Sequence, residues 1–274
     1  MTATTRTVIN DGVRLSCRDY GGTGTGRPLL LLHGLAGYAA EWDALVRRLS
    51  RGPAPARRVV AYDARGHGAS DPRPGDVSRE AHVADAIAVV EQLGLDRPVL
   101  VGQSLGGHTA MLAAAAHPDL WHALTLVEAG PEGPRPQLPY RIGSWLDSWP
   151  VPFPSVEAAA DFFGGGPAGR AWADGLAAHP DGLRPRVDRE VMVACVAEPA
   201  RRSFWTEWER VRCPTLVVRG AAGFMSAAEA AKMRARRPGT VVRVVQSAAH
   251  DVHLDRPEAL GETIEEFLAS HERS

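Results

Sequence analysis

The sequence predicts an α/β protein built on a mostly parallel, eight-stranded sheet with helices on both faces. Eight short apolar runs recur along the 274 residues, and helical patterns separate most of them. This alternation is typical of a chain that winds repeatedly through one sheet. The runs from Leu29 onward are almost continuously apolar, as expected for strands that are covered on both faces.

The eight strand candidates are apolar runs of strand length. In chain order they are residues 5–10, 13–20, 28–34, 58–63, 98–103, 123–129, 214–220 and 241–246. The predicted helices cover about 38–50, 78–94, 105–117, 226–236 and 257–270. In such a sheet the loops that follow the carboxyl ends of the strands form the usual binding crevice.

The regular alternation breaks between Pro131 and Trp208. No strand fits this segment, which we interpret as several short helices joined by Pro/Gly loops such as WPVPFP and FFGGGPAG. It contains five of the seven tryptophans and four of the six phenylalanines. These rings form a small core of their own, line a mostly apolar pocket as a lid, or do both.

These observations divide the chain into two parts. Residues 1–130 and 209–274 are expected to form the core that contains the sheet, and residues 131–208 a helical insertion. Within the insertion, Trp145 and Trp149 are candidate contacts for a substrate.

Composition excludes several classes of partner. The formal net charge is −1, so the chain lacks a basic field that would attract nucleic acid or an acidic membrane. No run approaches the roughly 18 apolar residues of a membrane span, and MTATTRTVINDGVRL lacks the apolar segment of a secretory signal. Cys17, Cys195 and Cys213 match no metal or redox spacing. We expect a cytoplasmic protein with reduced, packed thiols, compatible with a homo-oligomer.

The sequence contains no motif for a cofactor or a metal. The glycines of 21-GGTGTGRP-28 precede a strand instead of following one, which favours a hairpin connection over a dinucleotide loop. No Walker motif, zinc spacing or calcium loop is present. We therefore expect no cofactor and no metal, with a small molecule as the partner.

The stretch 99-VLVGQSLGGHTAM-111 contains the candidate nucleophile. An apolar strand runs directly into G-x-S-x-G, and a helix of small residues follows, which is the context that makes this motif informative. Ser104 is expected to adopt a strained conformation that projects its hydroxyl above the strand. Gly102 and Gly106 are needed because the strand and the helix pack closely at this turn. The alternative is a turn serine without chemistry.

Two backbone N–H groups are candidates for an oxyanion hole. The N–H of Leu105 follows the candidate nucleophile at a helix N-terminus, where the dipole favours negative charge. The N–H of Leu35 lies in the loop of 29-LLLLHGLAG-37, where Gly34 and Gly37 permit close approach to a substrate. His33 is expected to shape this loop.

His250 is the candidate base among the ten histidines. It lies in 247-SAAHDVHLDRPEAL-260, after the last strand and before the final helix. A loop in this position lies at the carboxyl end of the sheet, where Ser104 also emerges. His253 in the same loop is the rival.

Four motifs in this order, HGLAG, YDARGHGAS, GQSLGGH and AAHDVHLDRPEAL, resemble those of the α/β-hydrolase superfamily. The resemblance covers nearly all of residues 8–130 and 209–270. It implies that Ser104 is the nucleophile, that His250 is the base and that residues 131–208 form a cap over the active site. Asp63 in the second motif would be a structural turn residue.

The chain departs from the common pattern of the superfamily at the acid of the triad. Most members carry an aspartate after the seventh strand, but 216-LVVRGAAGFMSAAE-229 has no carboxylate before Glu229, which falls inside the next helix. Glu128 ends the apolar sixth strand, and some relatives place a glutamate there. The resemblance therefore implies a Ser104–His250–Glu128 triad, with Glu132 as a weaker substitute. The alternative is a glutamate at the start of a solvent-facing loop.

A serine nucleophile indicates acyl transfer to water through an acyl-enzyme. The first hypothesis is a hydrolase that cleaves a carboxylic ester or a lactone of a moderately apolar small molecule. A C–C bond hydrolase and a cofactor-free perhydrolase of the haloperoxidase type share the same triad and remain open. A non-catalytic small-molecule receptor on this scaffold is the alternative from another class.

Overall fold

The computed structural model describes residues 3–22, 24–52 and 57–271. Eight strands form one sheet: β1 (Thr4–Asn10), β2 (Val13–Asp19), β3 (Gly26–Leu32), β4 (Arg57–Tyr62), β5 (Val99–Gln103), β6 (Ala123–Val127), β9 (Thr215–Gly220) and β10 (Val241–Val245). Their spatial order is β1-β2-β4-β3-β5-β6-β9-β10. Every predicted strand forms, with ends within two residues of the prediction. The predicted fold class is confirmed.

Strand pairing brings the candidate site together at one edge of the sheet. β1, β2 and β4 pair in antiparallel fashion, whereas the pairs from β4 through β10 are parallel. Gln103 at the end of β5 is in register with Val127 at the end of β6, which in turn pairs with Val218 of β9. The residues that follow these three strands therefore emerge side by side.

Helices cover both faces of the sheet. They are α1 (Asp43–Leu49), which follows a 3-10 turn at Ala39–Trp42, α2 (Arg79–Leu93), α3 (Ser104–Ala116), α10 (Ala227–Arg236), α11 (Val252–Asp255) and α12 (Pro257–His271). The side chain of Ser78 caps α2 by accepting the N–H of Ala81, and Gly94 ends the helix in the left-handed conformation. No helix among the described residues is long and apolar enough to cross a membrane.

The period of two along each strand separates the core into two layers. In β3, Leu30 and Leu32 pack on the face covered by α2, α3 and α10, whereas Leu29 and Leu31 pack on the face covered by α1 and α12. The three cysteines are buried free thiols. Burial raises the pKa of Cys195 to about 11, so this thiol is inert at neutral pH.

The insertion, which we call the cap (residues 131–208), consists mainly of short helices. They are α4 (Leu138–Asp147), α5 (Val156–Phe162), α6 (Gly166–Asp174), α7 (Arg189–Cys195), α8 (Ala197–Arg201) and the start of α9 (Trp205–Arg210). The prediction that no strand forms there was wrong, because β7 (Ala177–His179) and β8 (Gly182–Arg184) form an antiparallel hairpin. Each strand has only three residues, too few to show an alternating pattern in the sequence.

The aromatic residues of the cap divide between two locations. Trp145, Trp149, Phe163 and Trp172 form a cluster of mainly edge-to-face rings inside the cap. Phe204, Trp205 and Trp208, at the end of the segment, pack instead into the core layer beside α3. The cap therefore has its own small core and is anchored to the main core at its carboxyl end.

Candidate active site

The turn between β5 and α3 has the geometry predicted for a nucleophile elbow. Ser104 is the first residue of α3 and has a φ of +50°, a strained conformation for a serine. A Cβ on Gly102 would lie 2.5 Å from the carbonyl oxygen of Gly106. A Cβ on Gly106 would collide with the carbonyl oxygens of Leu32 and His33. Both glycines are therefore required by the close packing of α3 against β5 and the end of β3.

The loop that contains Leu35 lies directly beside this elbow. A Cβ on Gly34 would lie 3.3 Å from the Cβ of Ser104, so this loop passes close to the candidate nucleophile. Leu35, Leu105 and Ser104 line the same cavity. Nε2 of His33 accepts the N–H of Ala64 at 2.9 Å, which fixes this loop to the neighbouring one.

His250 and Glu128 meet at the edge of the sheet. Nδ1 of His250 lies 3.4 Å from Oε2 of Glu128, which is the range of a loose hydrogen bond in a catalytic site without substrate. The Glu128 side chain is fully buried, whereas 23% of the His250 side chain is exposed. Phe224 stacks on the imidazole with ring centroids 4.5 Å apart. His250 lines the same cavity as Ser104.

The loop that follows β9 encloses the carboxylate of Glu128. Oε1 accepts the N–H of Gly220 at 2.8 Å, and Oε2 accepts the N–H groups of Phe224 at 2.6 Å and Met225 at 3.0 Å. A side chain on Gly223 would collide with the carboxylate. This is the loop in which the common pattern carries an aspartate. Here it has no acid and instead binds the one that β6 presents.

The charge of Glu128 is stabilised despite its burial. Burial raises the pKa of this carboxyl, but the hydrogen bond with His250 and the N–H groups of Met225 and Gly220 lower it by more. The net pKa lies below its ordinary value. Glu128 is therefore ionised at neutral pH and can stabilise an imidazolium at His250.

Asp251 connects three parts of the site, a role that the sequence analysis missed. Nε2 of Gln103, the residue before Ser104, donates to the carbonyl oxygen of His250 at 3.1 Å and to Oδ1 of Asp251 at 3.2 Å. Oδ2 of Asp251 accepts the indole N–H of Trp172 in the cap at 2.9 Å. Asp251 thus ties the elbow, the histidine loop and the cap together. Its position next to His250 was the only signal in the sequence.

His253, the rival base, has a different environment. It is 1% exposed, and its Nε2 lies 3.1 Å from Oε1 of Glu41. Oε2 of Glu41 accepts the N–H of Tyr38, just beyond the loop that contains Leu35. The pair therefore holds that loop in place. Unlike His250, His253 does not line the cavity of Ser104.

Asp63 has the structural position that the resemblance implied. Its carboxylate oxygens accept the N–H groups of Ala39 at 2.6 Å and Ala69 at 2.9 Å. Nearby, burial lowers the pKa of His67 to about 3, so this histidine is neutral. Glu132 is exposed, and its backbone N–H donates to Glu229 at 3.0 Å.

Ser104 and His250 open into a cavity of about 1130 Å³ beneath the cap. The cap contributes a largely apolar part of its lining: Leu138, Ile142, Trp145, Phe162, Phe163 and Trp172. Trp145 thus reaches the cavity as expected. Trp149 does not line it, because its ring is packed inside the cap with 7% exposure. Among the described residues no group of three His, Cys, Asp or Glu side chains is arranged to hold a metal ion.

The fold and the sequence place the chain in a known family. A model of the α/β-hydrolase family matches residues 29–263, and the chain belongs to this family. It is 28% identical over 260 residues to an sn-1-specific diacylglycerol lipase of Mus musculus, covering 88% of this chain and 80% of that protein.

A second relative is similar to this chain in both sequence and structure. The chain is 28% identical over 253 residues to the 2-(acetamidomethylene)succinate hydrolase of Mesorhizobium japonicum, covering 89% of each. The crystal structure of E-2-(acetamidomethylene)succinate hydrolase is similar with a TM-score of 0.85 and 26% identity. That comparison covers 97% of this chain and 99% of the other. The chain is thus a hydrolase of the α/β family.

Proposed function

We propose that the protein is a serine hydrolase that cleaves a carboxylic ester or a lactone of a moderately apolar small molecule. One observation carries the proposal: Ser104, strained at the strand–helix junction, shares a cavity with a histidine that is paired with a buried, ionised glutamate. Strain, a base and an orienting acid at one site indicate an activated nucleophile.

The proposed mechanism assigns one step to each group. His250 accepts the proton of the Ser104 hydroxyl as its oxygen attacks the ester carbonyl carbon. The N–H groups of Leu35 and Leu105 stabilise the resulting oxyanion. Glu128 stabilises the imidazolium, which then protonates the leaving alcohol as the C–O bond breaks. His250 next activates a water that attacks the acyl-enzyme and releases the acid and free Ser104.

The cavity supports a substrate with an apolar body. Its volume of about 1130 Å³ is at or slightly above the upper end of small-molecule sites, which is about 1,000 Å³. The cap residues Phe163, Trp145 and Trp172 provide flat aromatic surfaces in its lining. The diacylglycerol lipase relative, whose name denotes an ester-cleaving enzyme, is consistent with this chemistry.

The test is steady-state and burst kinetics with a series of 4-nitrophenyl esters, together with lactones followed by pH indicator. We expect turnover of at least one class and loss of activity in Ser104→Ala by a factor of about 10³ or more. Ser144→Ala, which removes an exposed serine of α4, is the matched control and should be unchanged. Turnover that survives Ser104→Ala would refute the assignment. Saturable ligand binding without any turnover would favour the receptor.

A further inference from the structure

We propose that the substrate carries a carboxylate as well as the scissile acyl group, and that Arg141 of the cap binds this carboxylate. The inference rests on the proposed function, because it assigns a second recognition point in the same cavity. The substrate class is then the monoester, or the lactone, of an acid with a free carboxylate at its other end.

The first observation is the position of Arg141 on α4. Leu138, Arg141, Ile142 and Trp145 all line the cavity. Their spacing of three and four residues places them on one face of the helix. Arg141 is therefore the single charged side chain in an otherwise apolar, cavity-facing stripe.

The second observation is that Arg141 has no acidic partner. Elsewhere in the cap, Arg189 pairs with Asp147 and Arg184 pairs with Asp181. Within the part of the chain that the structure describes, the side chain of Arg141 makes no hydrogen bond or ion pair, although it adjoins a cavity in which an anion would fit. A guanidinium presents a planar fork of donors that matches a carboxylate in bidentate fashion.

The third observation is a second guanidinium on the same segment. Arg135 also lines the cavity, and its Nη2 lies 3.5 Å from Oε2 of Glu229. Glu229 is 2% exposed and accepts the N–H of Glu132 with its other oxygen. Arg135 is therefore paired with a buried carboxylate. Of the two guanidinium groups that line the cavity, that of Arg141 is the one left without an acidic partner among the described residues.

Most of the carboxylates that line the cavity near Ser104 have hydrogen-bond partners of their own. Glu128 is held by His250, Glu41 by His253, and Asp251 by Gln103 and Trp172. Glu132 is exposed where it borders the cavity. The guanidinium without an acidic partner thus lies on the cap, whereas the reacting groups belong to the core. A substrate with an acyl group at one end and a carboxylate at the other fits this distribution.

The name of one relative agrees with this class. The structure with a TM-score of 0.85 is that of a hydrolase whose named substrate is a succinate, which is a dicarboxylate. This agreement supports the proposal, which rests on the position of Arg141 and on its side chain having no acidic partner among the described residues.

The experiment compares a neutral with an anionic ester of similar length, 4-nitrophenyl octanoate and the mono-4-nitrophenyl ester of suberic acid. We expect the wild type to prefer the anionic ester in kcat/KM by about 10- to 100-fold, as for a charge-assisted hydrogen bond. Arg141→Gln should abolish most of this preference by raising KM for the anionic ester. Arg141→Lys should restore part of it.

The matched control is Arg201→Gln, which removes an exposed cap arginine that does not line the cavity. It should retain the preference. Equal use of both esters by the wild type, or a preference that survives Arg141→Gln, would overturn the inference while leaving the hydrolase assignment intact. Hydrolysis of neither ester, together with no turnover in the ester and lactone series above, would instead refute the proposed function.

A binding measurement separates these failures further. By calorimetry on Ser104→Ala, suberate should bind at least about tenfold more tightly than suberamide, and Arg141→Gln should remove the difference. Equal affinity for the acid and the amide would overturn the inference without reference to turnover.

Discussion

Replacing Glu128 by glutamine tests the assignment of the acid. The substitution removes a negative charge 3.4 Å from Nδ1 of His250. At that distance and an effective dielectric constant of about 20, an imidazolium and a carboxylate attract each other by about 5 kcal/mol. This energy corresponds to about three to four orders of magnitude in rate. The equivalent acid-to-amide change in a serine protease costs about 10⁴ in kcat.

The same substitution should also lower the free energy of unfolding, because the amide cannot accept all the hydrogen bonds that the carboxylate accepts. Both carboxylate oxygens accept backbone N–H groups, Oε1 from Gly220 and Oε2 from Phe224 and Met225. An amide must direct its NH₂ group at one of these donor sets. The lower-energy choice faces Gly220, where only one N–H loses its acceptor. We expect a loss of about 1–3 kcal/mol in the free energy of unfolding.

The assay is kcat/KM for an unhindered 4-nitrophenyl ester, with urea unfolding of the same preparations. The kcat/KM of Glu128→Gln should be lower than that of the wild type by a factor of about 10³–10⁴, and the variant should remain folded at 25 °C. Glu132→Gln removes an exposed carboxylate and should stay within about threefold of the wild type. If Glu128→Gln kept more than about a tenth of the activity while Glu132→Gln lost most of it, the reasoning on the acid would be refuted.

Three further predictions follow from the cap and its contacts. Trp145→Ala should raise KM for long-chain esters, whereas Trp149→Ala should lower the free energy of unfolding by about 3–5 kcal/mol with little change in KM; kinetics and urea melts separate the two. Trp172→Phe keeps the ring but removes the N–H that Asp251 accepts, so kcat should fall several-fold while thermal stability changes little. Glu229→Gln should stabilise the protein at pH 7, because burial raises the pKa of this carboxyl and its charged form costs free energy when buried. This gain should shrink as the pH falls and vanish below the ordinary glutamate pKa of about 4.3, where Glu229 is protonated in both the folded and the unfolded state. A urea series over pH that shows no such trend would mean that Glu229 is stabilised as an anion.

The central strands of the sheet could be predicted from local pattern because the runs from Leu29 onward are almost continuously apolar. The turn at Ser104 could also be predicted from the sequence, because G-x-S-x-G in its strand–helix context imposes the close packing seen at Gly102 and Gly106. In contrast, the enclosure of Glu128 by the loop after β9 depends on a contact between residues 92 positions apart. No local pattern encodes that contact.

The cap shows the same limit of sequence reasoning. Trp145 and Trp149 are four residues apart, yet one lines the cavity and the other is enclosed by aromatic neighbours. Whether a ring lines the cavity depends on how α4, α5 and α6 pack together, and no local sequence pattern predicts that packing. The connection from Gln103 through Asp251 to Trp172 joins three separate segments and becomes visible only in three dimensions.

The most direct test of the central claim is the intact mass of the protein after exposure to a fluorophosphonate probe. We expect one covalent adduct on the wild type and none on Ser104→Ala, because only an activated serine attacks the phosphorus. An adduct that persists in Ser104→Ala would contradict the assignment of the nucleophile. No adduct on the wild type, together with no turnover of a small unhindered ester, would contradict the claim that the site is catalytic.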